Sequence, residues 1–151
     1  MVILSPSKVT FLYSALDNYG GYPFQDLFSV VQPVYGPEDF VSSKGALILW
    51  GGEDISSSIY NQKPNSKYGG GTLVPSRRDQ LELDLLDAAV ERGIPIIGIC
   101  RGAQLVCARA GGLLVQHVTG HSKDHSIQTI EGKQVKTTSL HHQMMFPWNL
   151  D

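Results

Sequence analysis

The 151-residue chain is 42% hydrophobic, enough apolar side chain to bury a core within a single domain. Twelve basic against fourteen acidic residues leave a formal charge of -2 with no block of like charge. That balance excludes a nucleic-acid footprint or a polybasic membrane patch, and points to a small molecule or a protein as the partner.

No stretch approaches the roughly 20 apolar residues of a membrane span. The apolar start, Met1 to Leu4, is cut by Ser5-Pro6-Ser7-Lys8 before a signal-peptide core could form. A cytoplasmic protein is therefore expected. The two cysteines, Cys100 and Cys107, fit this. On a turn and the helix behind it they would stand about 10 Å apart along the axis. A disulfide tolerates about 7 Å between Cα atoms, so two free thiols are expected.

In chain order, Lys8 to Ser14 mixes β-branched and aromatic residues and predicts a first strand, placed at a sheet edge. Gly20, Gly21 and Pro23 leave room for only a short helix between Ala15 and Phe28. Ser29 to Tyr35 predicts a second strand, with Pro33 favouring an edge or a strand end. Gly36-Pro37 turns into one turn of helix over Pro37 to Phe40. Ala46 to Trp50 is a continuous apolar run, the pattern of a strand covered on both faces, and it ends in Gly51-Gly52-Glu53-Asp54.

Ile55 to Val74 then reads as a long loop in which Tyr60 and Tyr68 could line the mouth of a site. Its glycines, Gly69 to Gly71, are not followed by Gly-Lys-Ser/Thr, so no phosphate-binding loop is expected.

Pro75 to Arg92 is the clearest predicted helix: Pro and Ser at its start, Asp79 and Glu82 early, Arg92-Gly93 at its end. Leu81, Leu85, Ala88 and Ala89 form its apolar stripe, and Leu83, Leu86 and Val90 widen it. Ile94 to Ile99 is predicted as the central strand, Ala103 to Ala110 as a short helix, and Leu113 to Val115 as a further short strand. This alternation predicts an α/β fold with a parallel sheet. Ser126 to Ile130 and Lys133 to Thr138 alternate around Glu131-Gly132 and predict a hairpin, while Leu140 to Trp148 has no clear period.

The most informative stretch is Gly98-Ile99-Cys100-Arg101-Gly102, directly behind a buried strand. A Gly-x-Cys-x-Gly turn between strand and helix matches a nucleophile elbow, in which small neighbours permit a tight crossing and the central residue is strained. A helix beginning there aims N–H groups and its positive end at the sulfur, which favours the thiolate nucleophile. The Arg101 N–H could also stabilise an oxyanion, and Gly51-Gly52 could supply a second donor from the neighbouring strand end. The Arg101 guanidinium stays protonated and is expected to support the elbow or its loops. Cys107 is expected to pack in the core.

These residues carry a resemblance. Gly98-Ile-Cys-Arg-Gly-Ala-Gln104, with Glu91-Arg-Gly-Ile-Pro95, Arg78-Asp79 and Glu82 in the helix, Trp50-Gly-Gly-Glu-Asp54 and Ser139-Leu-His-His-Gln143, resembles a class I glutamine amidotransferase domain. The likeness is greatest to the γ-glutamyl-γ-aminobutyrate hydrolase type and runs from about Ala46 to Gln143. It implies a doubly wound, mostly parallel sheet with flanking helices, flavodoxin-like.

It also implies a thiol hydrolase of γ-glutamyl amides. Cys100 would attack the amide carbon, a thioester would form, amine or ammonia would leave, and water would release glutamate. Gly52 and Arg101 correspond to the oxyanion donors and Gln104 to a substrate-binding glutamine. His141 and His142 lie on a loop near the active site, as supports or substrate contacts. No cofactor or metal is implied; the partners implied are a small γ-glutamyl substrate and, in some members, a synthetase or a second copy of the chain.

One family feature is missing. The general base and its carboxylate lie in a late His-Pro-Glu, yet none of His117, His121, His125, His141 and His142 has a glutamate two residues on. The expectation is a domain lacking its final portion; the alternatives are a substitute base at His141 or His142, or an inactive binding module. His117, His121 and His125 recur every fourth residue, but Gly120 argues against the helix that would align them for a metal, so loop histidines are expected. Glu53 and Asp54 are assigned no catalysis.

Overall fold

The computed structural model describes residues 10–14, 16, 30–40, 45–65 and 72–146. Four strands, β1 (Thr10–Ser14), β2 (Val30–Val34), β3 (Gly45–Leu49) and β4 (Ile96–Gly98), form a parallel sheet in the order β2-β1-β3-β4. This is the flavodoxin-like order of an α/β fold, in which ligands bind outside the carboxyl ends of the strands.

The continuous apolar run of β3 has the structural reason that its pattern predicts. Leu47 and Leu49 face a core shared with Leu85, Ala89, Leu105 and Ala108, whereas Ala46, Ile48 and Trp50 pack on the other side with Tyr13, Val31 and Ile99. Every β3 residue is buried, so neither face tolerates a polar side chain.

Helix α1 (Arg77–Glu91) starts at Ser76, whose hydroxyl accepts from the Asp79 N–H while the Asp79 side chain accepts from the Ser76 N–H, a reciprocal capping box. Its stripe of Leu85, Leu86, Ala88 and Ala89 is buried as predicted, but Val90 is exposed. Helix α2 (Arg101–Arg109) buries Leu105, Cys107 and Ala108.

Several expectations need correction. β1 lies inside the sheet, paired with β2 and β3; local composition carries no information about lateral order. Conversely, β4 is the last strand of this sheet among the described residues, and Ile97 is half exposed. The strand β5 (Leu113–Val115) does not join the parallel sheet. It pairs antiparallel with β8 (Met144–Phe146), in a segment whose sequence shows no period. The predicted hairpin is present as β6 (His125–Gln128) and β7 (Gln134–Thr137).

The predicted turn at Pro37 is a 3-10 turn over Pro37–Asp39. The long loop contains a second one, Ser57–Tyr60, whose Tyr60 is buried in the main core and so does not line the mouth of a site. Tyr68, Gly69 to Gly71 and nearly all of Ala15 to Phe28 lie outside the described residues. Among the described residues no helix is long and apolar enough to cross a membrane.

Candidate active site

Cys100 stands between β4 and α2 with φ 52° and ψ −110°, a region that L-residues rarely occupy. Its surroundings impose the strain. The strand end is held by Ile99 N–H donating to the Leu49 carbonyl at 2.9 Å, and the helix start by Gly102 N–H donating to the Trp50 carbonyl at 3.1 Å. A Cβ at Gly98 would come within 2.7 Å of the Ala103 backbone, and one at Gly102 would overlap the Leu49 carbonyl oxygen. Only glycine permits this crossing, which is the elbow the sequence predicts.

The turn after β3 closes on the cysteine from the neighbouring strand. The Cβ position of Gly51 is 3.5 Å from Cys100 Cβ. Gly52 has φ 146°, a glycine conformation. Among the described residues, no other group takes the main-chain N–H of Gly52 or of Arg101. Gly52 lines one cavity together with the exposed Cys100 thiol. Cys107 differs: it is also free, but it is buried, and burial pushes its thiol up, with only partial offset from the Phe146 backbone.

Behind the elbow lies a set of buried charges. Arg101, 1% exposed, donates to Asp79 Oδ1 at 2.5 Å and to Glu82 Oε2. Arg78 donates to Glu82 Oε1 at 2.7 Å, to the Gly51 carbonyl at 3.0 Å and to Glu53 at 3.3 Å. The acidic first turns of α1 thus hold the start of α2 through Arg101, and α1 holds the Gly51-Gly52 turn through Arg78. The Arg101 side chain is a support for the elbow, as expected. Burial raises the Asp79 carboxyl, but hydrogen bonds from Ser56 and Ser76 and the Arg101 charge outweigh it, so Asp79 sits below the usual aspartate range.

Two cavities open at Cys100. One, of about 280 Å³, is lined by Cys100, Ala103, Gln104, His141, Gln143, Met144 and Met145. The other, of about 470 Å³, runs past Trp50, Gly51, Gly52 and Ile99 to Thr138, Ser139, Leu140 and His141. Cys100 and His141 border both. The His141 Nδ1 faces the Gln143 carbonyl at 2.9 Å and must donate to it, which leaves Nε2 as the ring's acceptor in the neutral form.

The structure thus brings Cys100, Gly52, Gln104 and His141 to one place, with the Arg101 backbone beside them. The His142 ring is directed elsewhere: Nε2 faces Asp54 at 3.0 Å, and Nδ1 lies 3.4 Å from His117 Nδ1. This His–carboxylate pair has no local signal, since its members are 88 residues apart. His117, His121 and His125 are not on one helix. The His121 ring instead lies 4.7 Å from that of His125 and 5.1 Å from that of His141, between centroids. Among the described residues no group of three or more His, Cys, Asp or Glu side chains could hold a metal ion.

The family model described as Peptidase C26 matches residues 12–147. A glutamine amidotransferase-like protein of Lactococcus lactis subsp. lactis, YvdE, is 34% identical over 124 residues, covering 79% of this chain and 50% of its own length. A Mycobacterium tuberculosis protein named as a glutamine amidotransferase is 40% identical over 86 residues, 54% of this chain and 27% of its own. The carbamoyl phosphate synthase small chain of Xanthomonas axonopodis pv. citri is 33% identical over 61 residues, 40% of this chain and 16% of its own. The chain thus spans half or less of the length of these relatives.

Proposed function

The chain belongs to the Peptidase C26 family, within the class I glutamine amidotransferase-like proteins, and on that premise we propose that its site hydrolyses a γ-glutamyl amide through a Cys100 thioester. The observation that carries this reading is the strained Cys100 elbow, closed in by the Gly51-Gly52 turn of the neighbouring strand.

In the proposed reaction the Cys100 thiolate adds to the side-chain amide carbon. The Gly52 and Arg101 N–H groups receive the oxyanion, a preorganised arrangement of the kind that contributes most to acyl transfer. The tetrahedral adduct collapses to a thioester as the amine takes a proton and leaves; water then adds, and glutamate departs with the thiol restored. Gln104 and His141 border the cavity and hold the glutamyl part, with His141 Nε2 free to accept from it.

The test is glutamate release from glutamine and from γ-glutamyl amines by the full-length protein. Cys100→Ala is expected to lower turnover by about 10³-fold or more; unchanged turnover would refute the reading. A second reading, donation of ammonia to a synthetase, is favoured by the match to the carbamoyl phosphate synthase small chain. It predicts that turnover of glutamine rises only when the synthetase partner is added.

A further inference from the structure

The two walls of the larger cavity come from distant parts of the chain. Gly51 and Gly52 line it from the end of β3, Ser139 to His141 from the segment before β8, and Cys100 lines it with them. For an oxyanion donor on one wall and a substrate contact on the other to act together, their separation must be set. The buried arginines tie the first wall to α1 and α2.

One link joins the two walls. Asp54 is two residues beyond Gly52, and His142 directly follows His141. The Asp54 carboxylate accepts from His142 Nε2 through both oxygens, at 3.0 and 3.2 Å. The histidine is itself fixed from two further directions. Its carbonyl accepts from the Val118 N–H at 2.8 Å, and its Nδ1 meets His117 Nδ1 at 3.4 Å. Tyr60 also lies near Asp54; burial and the Asp54 charge push its hydroxyl up, with partial offset from Gln143, so it stays neutral. The pair is partly buried, with side chains 30% and 20% exposed, and lies outside the lining of both cavities that meet at Cys100.

We propose that Asp54 and His142 are a positioning pair that holds the Gly51-Gly52 turn and His141 at a fixed separation across Cys100. The kinetic consequence rests on the hydrolase reading above. A donor displaced by an ångström loses its effect on the transition state far more than on substrate binding, so the pair acts on kcat.

The experiment compares His142→Leu, His142→Gln and Asp54→Ala in the full-length protein. The glutamine amide can stand in for Nε2–H, whereas leucine cannot donate. His142→Leu and Asp54→Ala are each expected to lower kcat about 10- to 100-fold, with a smaller rise in KM from the displaced His141. His142→Gln is expected to restore kcat to within about threefold. The double variant Asp54→Ala/His142→Leu should be no slower than either single one, because both remove the same link. A rise in KM with kcat unchanged would overturn the proposal in favour of direct substrate contact, and so would additive losses in the double variant or no effect at all.

If the wild type releases no glutamate, the hydrolase reading fails and the link is tested without it. Amide hydrogen exchange in peptides covering residues 51–54 and 141–143 should then accelerate together in His142→Leu and not in His142→Gln. Unchanged exchange in His142→Leu would overturn the link itself.

Discussion

The two sides of the Cys100 cavities are built by different means. On the elbow side, β3 is wholly buried, the strand-to-helix crossing is closed by main-chain hydrogen bonds, and Arg101, Asp79 and Glu82 form ion pairs at 1% exposure or less. On the histidine side, the β6–β7 hairpin is almost entirely exposed, and Ile130 and Leu140 are 98% and 96% accessible. That side is joined to the body at fewer places: the short β5–β8 ladder, Gln116 to the Asn65 N–H and the Lys63 carbonyl, and His142 to Asp54. The difference teaches where accuracy is needed. A strained residue keeps its geometry only when its neighbours over-determine it, whereas a solvent-facing wall can be pinned at a few points.

The sharpest way to break the comparison is Arg101→Met, which keeps bulk but leaves buried Asp79 without its cation and Glu82 with Arg78 alone. Removing one member of a buried pair leaves an uncompensated charge, and a loss of about 3–5 kcal/mol is expected in urea unfolding. A loss below about 1 kcal/mol would mean that main-chain bonds alone maintain the elbow side, and the contrast between the two sides would then not rest on buried charge.

A smaller effect, readable through pH, comes from Asp79→Asn. The Asp79 carboxyl lies below its ordinary range when folded, because the Ser56 and Ser76 hydrogen bonds and the Arg101 charge outweigh burial. A depressed folded value contributes stability above the unfolded value of about 3.9, and the contribution disappears as pH falls below it toward the folded one. The wild type should therefore be more stable than Asp79→Asn at pH 7, and the gap should narrow in acid. Urea midpoints for both proteins at pH 7 and near pH 3 give the answer, and a gap independent of pH would show that the charge of Asp79 is not what matters.

What was legible in the sequence divides along the same line. The elbow is local: Gly98, Cys100 and Gly102 lie within five residues, so spacing alone predicts the crossing. The burial of β3 and the start of α1 at Ser76 are equally local, in an unbroken apolar run and a capping pattern. Contacts that depend on distant chain were not legible. The β5–β8 pairing joins Leu114 to Met145, and Met144 to Phe146 lack the alternation that would announce a strand. Arg101 gives no sign of which carboxylates it meets, and the burial of Tyr60 in the core overrides the polar texture of its loop. The Asp54–His142 pair is the extreme case, because two ordinary polar residues become a site feature only through the fold.

The smallest effect tests the histidine side. Ile130 stands at the tip of the hairpin, beside the Glu131-Gly132 turn, with almost its whole surface in water. Since little apolar area is buried there, Ile130→Ser should change stability by no more than about 0.5 kcal/mol in the same unfolding assay. The turn bonds at that place, Gly132 N–H to the Thr129 carbonyl and Thr129 N–H to the Lys133 carbonyl, both 2.9 Å, do not involve the side chain and should survive. A loss above about 1 kcal/mol would mean that this isoleucine is covered in solution, and the hairpin would then belong with the buried elbow instead of standing apart from it.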